Sequence, residues 1–401
     1  MSSPDTKKLD TFLQHAGLAD FDPITGSAPV ALPSVRTSTV RFKNLAALDK
    51  AQAAKADLRL RSTTYGRSGM QTHAALEQVF CTLEGASQAL LSSSGMAAIS
   101  HAMLALLSKG DHVLVADSVY GPVRYLEKTV LQRMGITCTY SQASPDALRQ
   151  HLRPSTRMLY VESPGSLLME MLDLPLLAEF AREHQLLLVT DNTWGSGYIY
   201  RPLELGAQVS IVAGTKYVGG HSDLMLGAVM SADPQIDRVL FDNHYALGHS
   251  VSADDVWLAM RGVRTLPLRM RESAANALQI CEFLTQRPEV VRLYHPAWPQ
   301  DTGHALWQRD CTGSNGMLSV QLGVTPQQAR AMVDALQLFG IGYSWGGFES
   351  LVQYVDPSVL AGHSYWADQQ KNSLLRLHIG LESAADLIAD LEQALNIAVA
   401  S

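Results

Sequence analysis

One lysine stands apart from the other basic residues of this chain. Lys216 lies in the run Val209-Ser-Ile-Val-Ala-Gly-Thr-Lys-Tyr-Val-Gly-Gly-His-Ser-Asp223, and the nearest other lysines are Lys128 and Lys371. Lysine is rarely buried unless it is paired, and a buried amine has a lowered pKa and forms Schiff bases readily. Lys216 is therefore a candidate for covalent binding of a carbonyl compound, although a surface lysine at a strand-to-loop turn would show the same pattern.

An aspartate is the first candidate partner of this lysine. Asp191 directly follows the apolar run Leu186-Leu-Leu-Val-Thr190, and Lys216 follows the next apolar run along the chain. Ligands of open parallel sheets bind outside the carboxyl ends of the strands. Asp191 is thus well placed to meet a cationic ring nitrogen, and the structural alternative is a helix N-cap or a turn residue.

A segment of small residues supplies a third element. Ser92-Ser-Ser-Gly-Met-Ala-Ala98 lies between a predicted strand and a predicted helix. Small residues let the backbone approach a ligand, and the start of a helix offers free N–H groups to a phosphate. The segment has neither the GxGxxG nor the P-loop pattern, so a nucleotide is not indicated. A lysine for an imine, an aspartate for a pyridinium and a helix end for a phosphate together describe pyridoxal phosphate.

Short apolar runs and helical patterns alternate from about residue 61 onwards. The runs are short and do not alternate strictly between apolar and polar residues, which is typical of strands buried on both faces of a sheet. The order βαβα predicts an α/β fold with a mainly parallel sheet between helices. The predicted strands are Gln88–Ser92, Asp111–Val115, Arg157–Val161, Leu186–Thr190, Val209–Val212 and Leu224–Met230, and Leu174–Glu183 is a predicted helix.

The pattern changes after about residue 250 and predicts a smaller C-terminal α+β domain. We therefore expect an N-terminal segment over 1–60, a cofactor-binding domain over 61–255 and a C-terminal domain over 256–401. The predicted elements of the last part are a helical stretch from Ala253 towards Arg287 interrupted at Gly262 and Pro267, strands Met317–Leu322 and Leu374–Ile379, and helices Thr325–Leu338 and Ser383–Val399.

Composition excludes several classes of protein. The 401 residues carry a net charge of −7 with no basic patch, which argues against nucleic-acid binding. No apolar run approaches the roughly 18 residues of a membrane span, and the N-terminus lacks the apolar core of a signal peptide. The four cysteines lie far apart, which disfavours a disulfide framework or a zinc site and predicts a cytoplasmic protein. His221 and Asp223 are interpreted as loop-bracing residues, and no metal is expected.

Several motifs in one order resemble those of a known family, the trans-sulfuration enzymes of fold type I pyridoxal-phosphate proteins. This family includes cystathionine β-lyase, cystathionine γ-lyase, cystathionine γ-synthase and methionine γ-lyase. The resemblance runs from about Thr11 to about Val399. The motifs are His15-Ala-Gly17, Asp22-Pro-Ile-Thr-Gly26, Thr37-Ser-Thr39, Tyr65-Gly-Arg67, Val119-Tyr-Gly-Pro122, Glu162-Ser-Pro-Gly-Ser166, Asp191-Asn-Thr-Trp194, Gly214-Thr-Lys-Tyr217, Gly220-His-Ser-Asp223, Tyr343-Ser-Trp-Gly-Gly-Phe-Glu-Ser350 and Arg376-Leu-His-Ile-Gly-Leu-Glu382.

The resemblance implies a fold type I enzyme that binds pyridoxal 5′-phosphate. Lys216 would hold the cofactor as an imine and later act as the general base, and Asp191 would pair with the pyridine nitrogen. Tyr120 would stack on the ring and lie beside the substrate, as a catalytic and binding residue. The phosphate would be bound by Gly95, Met96 and the hydroxyl of Thr215.

The same resemblance implies a shared site between subunits and a place for the substrate. Tyr65 and Arg67 would complete the phosphate site of a neighbouring subunit, so the protein would be a homo-oligomer, as a tetramer built from two dimers. Arg376 would take the substrate α-carboxylate as a bidentate fork. A structural ion pair of Arg376 with an aspartate or glutamate is the alternative. Ser344 would position the lysine through its neighbouring backbone.

Departures from the family pattern bear on the bond that is broken. Where γ-enzymes commonly carry a glutamate this chain has Tyr343, and Trp345 replaces a leucine; both are expected at the substrate. The segment Ser163-Pro-Gly-Ser166 also differs from the γ-enzymes, and Ala213 replaces a serine that would bind phosphate. These features resemble the bacterial cystathionine β-lyase branch.

The resemblance thus implies β-elimination of a small sulfur amino acid, L-cystathionine, to L-homocysteine, pyruvate and ammonia. A γ-lyase, a γ-synthase or a broad cysteine-S-conjugate β-lyase on the same scaffold is the first alternative. A dinucleotide-dependent oxidoreductase is a second, disfavoured by the missing glycine fingerprint. A catalytically silent protein of the same fold is a third, disfavoured by the presence of Lys216, Asp191 and Arg376.

Overall fold

A computed structural model describes residues 8–58, 63–366 and 372–400 of the chain, with side chains described to residue 397. The fold is built on two β-sheets, one of seven strands and one of five. The α-helices of the described residues are α1 (Leu9–His15), α2 (Leu45–Ala53), α3 (Gln71–Glu84), α4 (Gly95–Leu106), α5 (Pro122–Leu126), α6 (Pro145–Arg149), α7 (Leu174–Glu183), α8 (Pro234–Leu247), α9 (Ala253–Val263), α10 (Leu266–Thr285), α11 (His304–Asp310), α12 (Pro326–Ala335), α13 (Pro357–Leu360) and α14 (Ala384–Ala400).

The seven-stranded sheet has the order β1-β7-β6-β5-β4-β2-β3. Its strand β7 runs antiparallel to both neighbours, and the other six strands are mutually parallel. The α/β fold with a mainly parallel sheet between helices is therefore confirmed. The strands are β1 (Gln88–Ser92), β2 (His112–Ala116), β3 (Thr137–Ser141), β4 (Thr156–Glu162), β5 (Leu187–Asp191), β6 (Val209–Val212) and β7 (Gly227–Ser231).

The predicted strands match this sheet closely. β1 and β6 have the predicted bounds, and the helix α7 also begins and ends where expected. β7 begins three residues later than predicted, because the residues before it belong to the connection that carries Lys216. Strand β3 was not predicted, since most of its side chains are only half-buried and leave no apolar run in the sequence.

The five-stranded sheet has the order β10-β11-β12-β9-β8 and is antiparallel apart from the β10–β11 pair. Helices α10, α12 and α14 bury their apolar faces in a second hydrophobic core against this sheet. The smaller α+β part of the fold is thereby confirmed, although three of its strands were not predicted. The strands are β8 (Val290–Tyr294), β9 (Met317–Leu322), β10 (Gly340–Ile341), β11 (Leu351–Val355) and β12 (Ser373–His378).

The predicted interruption of the long helical stretch occurs between α9 and α10. Pro267 lies in the first turn of α10, where its missing N–H has no intrahelical acceptor to lose. Gly262 lies inside α9, where a Cβ would come within 2.2 Å of the Gly219 carbonyl oxygen. This glycine therefore lets α9 approach the connection that follows Lys216. The predicted domain boundaries at 60/61 and 255/256 remain a prediction.

Membrane spans, metal clusters and disulfides were each expected to be absent. None of the helices in the described part of the chain has the length and apolar character needed to cross a membrane. Within residues 8–58, 63–366 and 372–400, no cluster of three histidine, cysteine or acidic side chains has the arrangement of a metal site. The four cysteines are all free thiols.

Candidate active site

The candidate residues meet at one edge of the seven-stranded sheet. β1 runs into the start of α4 at Gly95, β5 ends at Asp191, and β6 leads into the turn that carries Lys216. These three strands are parallel, so their carboxyl ends lie at the same edge, where open α/β sheets bind ligands. The sheet thereby brings together three segments that are far apart in sequence.

Lys216 lies in a largely buried position in the connection between β6 and β7. Its Nζ donates a hydrogen bond to the hydroxyl of Ser344 and lies 5.5 Å from the ring centroid of Trp345. Burial, helped by the positive charge of Arg376, lowers the pKa of the Lys216 amine to about 8. A neutral amine is therefore accessible near physiological pH, as a nucleophile or proton acceptor requires.

The loop that carries Ser344 packs directly against the lysine. Ser344 has a φ of 91° and Gly346 a φ of 86°, both in the left-handed region. A Cβ on Gly346 would lie 2.9 Å from the backbone nitrogen of Tyr217, so only glycine fits this approach. Ser344 contacts Lys216 through its own hydroxyl, and its predicted action through neighbouring backbone stays a prediction. Strain at such a position is typical of functional sites.

Asp191 is buried at the end of β5 and is oriented by Thr193. Its Oδ1 accepts hydrogen bonds from the Thr193 backbone N–H at 2.9 Å and the Thr193 hydroxyl at 2.6 Å. The same hydroxyl accepts a bond from the Ala213 N–H at 2.9 Å. Within the described ranges, no hydrogen bond reaches the second oxygen, Oδ2. Burial raises the pKa of Asp191, so a cation facing Oδ2 would favour the carboxylate form.

A second buried carboxyl, Glu162, was quoted in a motif but received no predicted role. It lies beside Asp191 in the parallel pairing of β4 and β5. Its Oε2 accepts a hydrogen bond of 2.5 Å from the backbone N–H of Tyr120. Burial and the nearby Asp191 raise the pKa of Glu162 well above its usual range. Its position at the end of a strand, like that of Asp191, was the sequence signal that could have identified Glu162 as a site residue.

Arg376 lies in β12 and is 8% exposed. Its guanidinium donates to the carbonyl oxygen of Ser166 at 3.3 Å. Within residues 8–58, 63–366 and 372–400 it has no carboxylate within ion-pair distance, so the alternative of a structural ion pair has no support there. Burial lowers the pKa of Arg376 to about 10, and Glu162 partly opposes this effect. A buried cation without a paired charge is costly, which makes the position suitable for an anionic ligand.

The start of α4 forms a narrow backbone cradle. Ser94 caps the helix by accepting a hydrogen bond from Ala97, and Gly95 and Met96 are the first helical residues. A Cβ on Gly95 would lie 2.7 Å from the Cβ of Ala213, so the glycine is needed for this close approach. Free N–H groups and the helix dipole make the cradle suitable for a phosphate.

The hydroxyl of Thr215 is engaged elsewhere. It donates to the carbonyl oxygen of Leu226 at 3.1 Å and accepts from the Leu226 N–H at 2.9 Å. Its only hydrogen is therefore used inside the connection between β6 and β7. The predicted phosphate contact through this hydroxyl is not present in this geometry and remains a prediction.

Tyr120 stands at the mouth of the site and is 41% exposed. Burial of the remainder and the nearby Glu162 raise the pKa of its hydroxyl, while Arg376 opposes this effect. The Tyr120 side chain is thus within electrostatic range of Arg376. Its position agrees with a stacking residue beside a substrate.

Three predicted residues do not join this group within one chain. Tyr343 is 85% exposed, and Tyr65 is 49% exposed. Arg67 donates to the carbonyl oxygen of Tyr245 at 2.8 Å, and its guanidinium lies 4.6 Å from the Tyr245 ring centroid. Arg67 also lines a separate cavity of about 790 Å³ together with Lys55. A role in a neighbouring subunit's site stays a prediction.

The arrangement fits pyridoxal 5′-phosphate on three observations of this structure. Asp191 has an oxygen free to face a ring cation, Lys216 has a lowered pKa, and the glycine cradle at Gly95 suits a phosphate. The residues that would hold the cofactor are therefore Lys216, Asp191 and the start of α4, with Tyr120 beside them. Each of these roles is a proposal.

Comparison with known proteins agrees with this assignment. Residues 10–396 match the model of the Cys/Met metabolism PLP-dependent enzyme family. Cystathionine beta-lyase of Bordetella avium is 64% identical over 396 residues, covering 99% of both chains. Cystathionine beta-lyase of Escherichia coli is 36% identical, covering 96% of this chain and 98% of the relative.

A solved structure has the same fold over nearly the whole chain. Cystathionine gamma synthase of Xanthomonas oryzae, in complex with aminoacrylate and cysteine, superposes with a TM-score of 0.88 at 32% identity. The alignment covers 98% of this chain and 99% of that structure. Both the sequence and the fold comparisons therefore extend over nearly the whole chain. The chain belongs to the Cys/Met metabolism family of pyridoxal-phosphate-dependent enzymes.

Proposed function

We propose that this enzyme cleaves the Cβ–S bond of L-cystathionine, giving L-homocysteine, pyruvate and ammonia. The observation that carries the choice of bond is the identity of 64% over 99% of the chain with the cystathionine beta-lyase of Bordetella avium. The geometry supports the reaction class, because a buried amine of lowered pKa lies near a buried guanidinium that has no carboxylate partner among the described residues.

Arg376 binds the α-carboxylate of the substrate in this proposal. Its guanidinium is already desolvated and is held by the Ser166 carbonyl oxygen. A guanidinium group that is oriented before binding loses little conformational entropy when it forms two parallel hydrogen bonds to a carboxylate. The substrate Cα is thereby turned towards Lys216, which is within electrostatic range of Arg376.

Lys216 acts as the proton carrier. When bound, pyridoxal 5′-phosphate accepts the electron pair that remains at Cα after the proton has left. The neutral amine of Lys216 removes the Cα proton, and the hydroxyl of Ser344 orients its Nζ. The Cβ–S electron pair leaves with sulfur, which takes a proton from Lys216 to give homocysteine. Water then converts the three-carbon remainder to pyruvate and ammonia, so atoms and charge balance.

Product identification tests the proposal. Purified holoenzyme is incubated with L-cystathionine, and the keto acid is identified by chromatography. Pyruvate with an equal amount of homocysteine is expected. The appearance of 2-oxobutyrate with cysteine would show that the Cγ–S bond is broken and would overturn the β assignment.

A γ-type reaction is the second candidate, favoured by the close superposition on the cystathionine gamma synthase of Xanthomonas oryzae. An assay of cysteine with an activated homoserine ester separates the two, because only a γ-synthase would form cystathionine. Parallel assays with cystine and S-alkylcysteines measure how broad the β-lyase activity is. Pyruvate from every one of these at similar rates would indicate a broad cysteine-S-conjugate lyase.

We also propose a homo-oligomer in which Tyr65 and Arg67 reach a neighbouring subunit's site, as a tetramer of two dimers. The N-terminal segment supports an intersubunit contact, because its apolar side chains Phe21, Ile24 and Val30 are 75%, 92% and 81% exposed in the single chain. Exposed apolar surface of this kind marks association sites.

Arg67→Ala tests the shared site. We expect the dissociation constant of the cofactor to rise about 10-fold, as for loss of a charged hydrogen bond. Arg238→Ala is the matched control, since Arg238 lines the same cavity but is paired with Asp242 at 2.7 Å. Equal cofactor affinity in wild type and Arg67→Ala would refute the contribution in trans. A cytoplasmic location is proposed from the four free thiols and is tested by cell fractionation.

A further inference from the structure

The loop formed by residues 163–172 supports the guanidinium of Arg376. The loop follows β4, and the carbonyl oxygen of Ser166 accepts the hydrogen bond from Arg376. The next carbonyl, of Leu167, accepts a bond of 2.6 Å from the hydroxyl of Ser319, which pairs with Arg376 across β9 and β12. The position of the 163–172 loop therefore sets the position of the guanidinium.

The loop is closed on itself by Glu170. The N–H of Gly165 donates to the backbone carbonyl oxygen of Glu170 at 3.0 Å. The Glu170 side chain also folds back over Gly165, because a Cβ on Gly165 would lie 2.2 Å from its Oε2. The same added Cβ would lie 2.9 Å from the Cβ of Ser118. The Glu170 side chain thus occupies the space that a side chain at position 165 would need, and we call Glu170 and Gly165 a matched pair for this reason.

The Glu170 carboxyl is not used by the proposed mechanism. Its Oε2 is shielded from solvent and has no hydrogen-bond partner among the described residues. Burial raises the pKa of Glu170 to about 8, and the nearby carboxyls of Asp117 and Asp301 add to this effect. At neutral pH the group is therefore an uncharged acid, which can pack against the loop without a cation beside it.

We propose that Glu170 is a positioning residue: by packing on Gly165 it fixes the Ser166 carbonyl oxygen and so aligns Arg376 with the substrate carboxylate. This inference rests on the proposed function, in which Arg376 binds that carboxylate. Glu170 itself touches neither substrate nor reacting atoms. The expected signature is a change in substrate affinity with little change in the chemical step.

Four variants test the pair in the holoenzyme. Glu170→Ala opens the space over Gly165, and we expect KM for L-cystathionine to rise about 10-fold with kcat within about threefold of wild type. Glu170→Gln keeps the shape of the neutral acid and is expected to keep KM within about threefold of wild type. Gly165→Ala is expected to raise KM by a similar factor to Glu170→Ala. The double variant Gly165→Ala/Glu170→Ala is expected to recover part of the loss, because the new methyl group no longer meets the Glu170 carboxyl and only the Ser118 Cβ, at 2.9 Å, must still shift.

A binding measurement separates positioning from catalysis. The dissociation constant of L-alanine, which has no Cβ leaving group, is measured by calorimetry and is expected to follow KM across the four variants. Asp237→Ala is the matched control, because Asp237 is likewise an acid with a solvent-shielded oxygen that has no partner in the described ranges, but it lies on α8 against Ser87. It should lower the melting temperature without raising KM or the L-alanine dissociation constant.

Each outcome supports or overturns the inference. Additive effects of the two single substitutions in the double variant would refute the matched pair. Loss of affinity in Glu170→Gln equal to that in Glu170→Ala would refute packing by a neutral acid. If wild type forms no pyruvate from L-cystathionine, the proposed function fails. If it does form pyruvate and the variants leave KM unchanged, only the role of Glu170 fails.

Discussion

The hydroxyl of Thr193 connects two parts of the site, so its removal is the most informative single change. It donates to Asp191 Oδ1 at 2.6 Å and accepts from the Ala213 N–H at 2.9 Å. Thr193→Val keeps the shape of the side chain and removes both bonds. Thr193→Ser keeps the hydroxyl and is the control.

The size of the effect follows from the two bonds. A hydrogen bond to a charged acceptor contributes about 1.5–3 kcal/mol, and an unsatisfied N–H costs about 1–3 kcal/mol. The backbone N–H of Thr193 still donates to Asp191, and the two losses together come to about 2.5–6 kcal/mol. The share that falls on Asp191 raises its pKa further, because its carboxylate form loses a hydrogen bond that favours it.

A carboxyl group that binds its proton more tightly is a weaker partner for a ring cation. The cofactor dissociation constant of Thr193→Val should therefore rise about 10- to 100-fold, since 1.4 kcal/mol is a factor of ten. It is measured by equilibrium dialysis followed by absorbance. KM for L-cystathionine at saturating cofactor should change little, because Arg376 is not touched. A valine variant within twofold of wild type, or a serine variant as weak as valine, would refute the reasoning.

Three other predictions concern the lysine, its serine partner and the guanidinium. Because the pKa of Lys216 is about 8 in the folded protein and 10.5 for a fully solvated lysine side chain, the unfolded chain binds this proton more tightly. The free energy of unfolding of the cofactor-free protein therefore rises with pH between about 8 and 10.5. Lys216→Met should raise this free energy by about 2–3 kcal/mol at pH 7, and the gain should shrink towards pH 10. Chemical denaturation of both proteins at several pH values measures the difference. Ser344→Gly should stabilise the fold by about 1 kcal/mol, because glycine adopts the φ of 91° without strain. It should also lower kcat about 10-fold, because Lys216 Nζ loses its hydrogen bond to the Ser344 hydroxyl. An unchanged kcat would contradict the view that this hydrogen bond orients Lys216. Arg376→Lys should raise KM about 10- to 100-fold with a smaller change in kcat, and steady-state kinetics with an unchanged KM would exclude a bidentate carboxylate contact.

Strands buried on both faces were predictable and half-buried strands were not. β1 and β6 are buried along almost their whole length and consist mainly of apolar residues, and their bounds were predicted correctly. β3 and β11 carry several half-buried side chains, so neither an apolar run nor strict alternation marks them in the sequence. A fully buried strand leaves an apolar run in the sequence, whereas a half-buried strand is defined by tertiary neighbours that a short sequence window does not contain.

The same distinction applies to the site. Lys216 and Asp191 follow strands directly, so topology alone brings them together. Thr193 and Glu170 act through contacts with residues two and five positions away, at Asp191 and Gly165, and those contacts depend on loop geometry. Neither the periodicity of apolar residues nor the order of the motifs predicts this loop geometry, so the contacts of Thr193 and Glu170 could not be predicted from the sequence.

The strand order has a consequence for synthesis of the protein. β1 lies at the edge of its sheet, and β7 is its hydrogen-bonded partner there. β7 is made well over one hundred residues later, so at roughly 5–20 residues per second β1 waits on the order of 10 s on the ribosome with its backbone unpaired. The nascent chain must be shielded from other strands during this interval. We therefore expect a holding chaperone to bind ribosome-attached chains that stop before residue 227 and to release chains long enough for residues 227–231 to have left the ribosome.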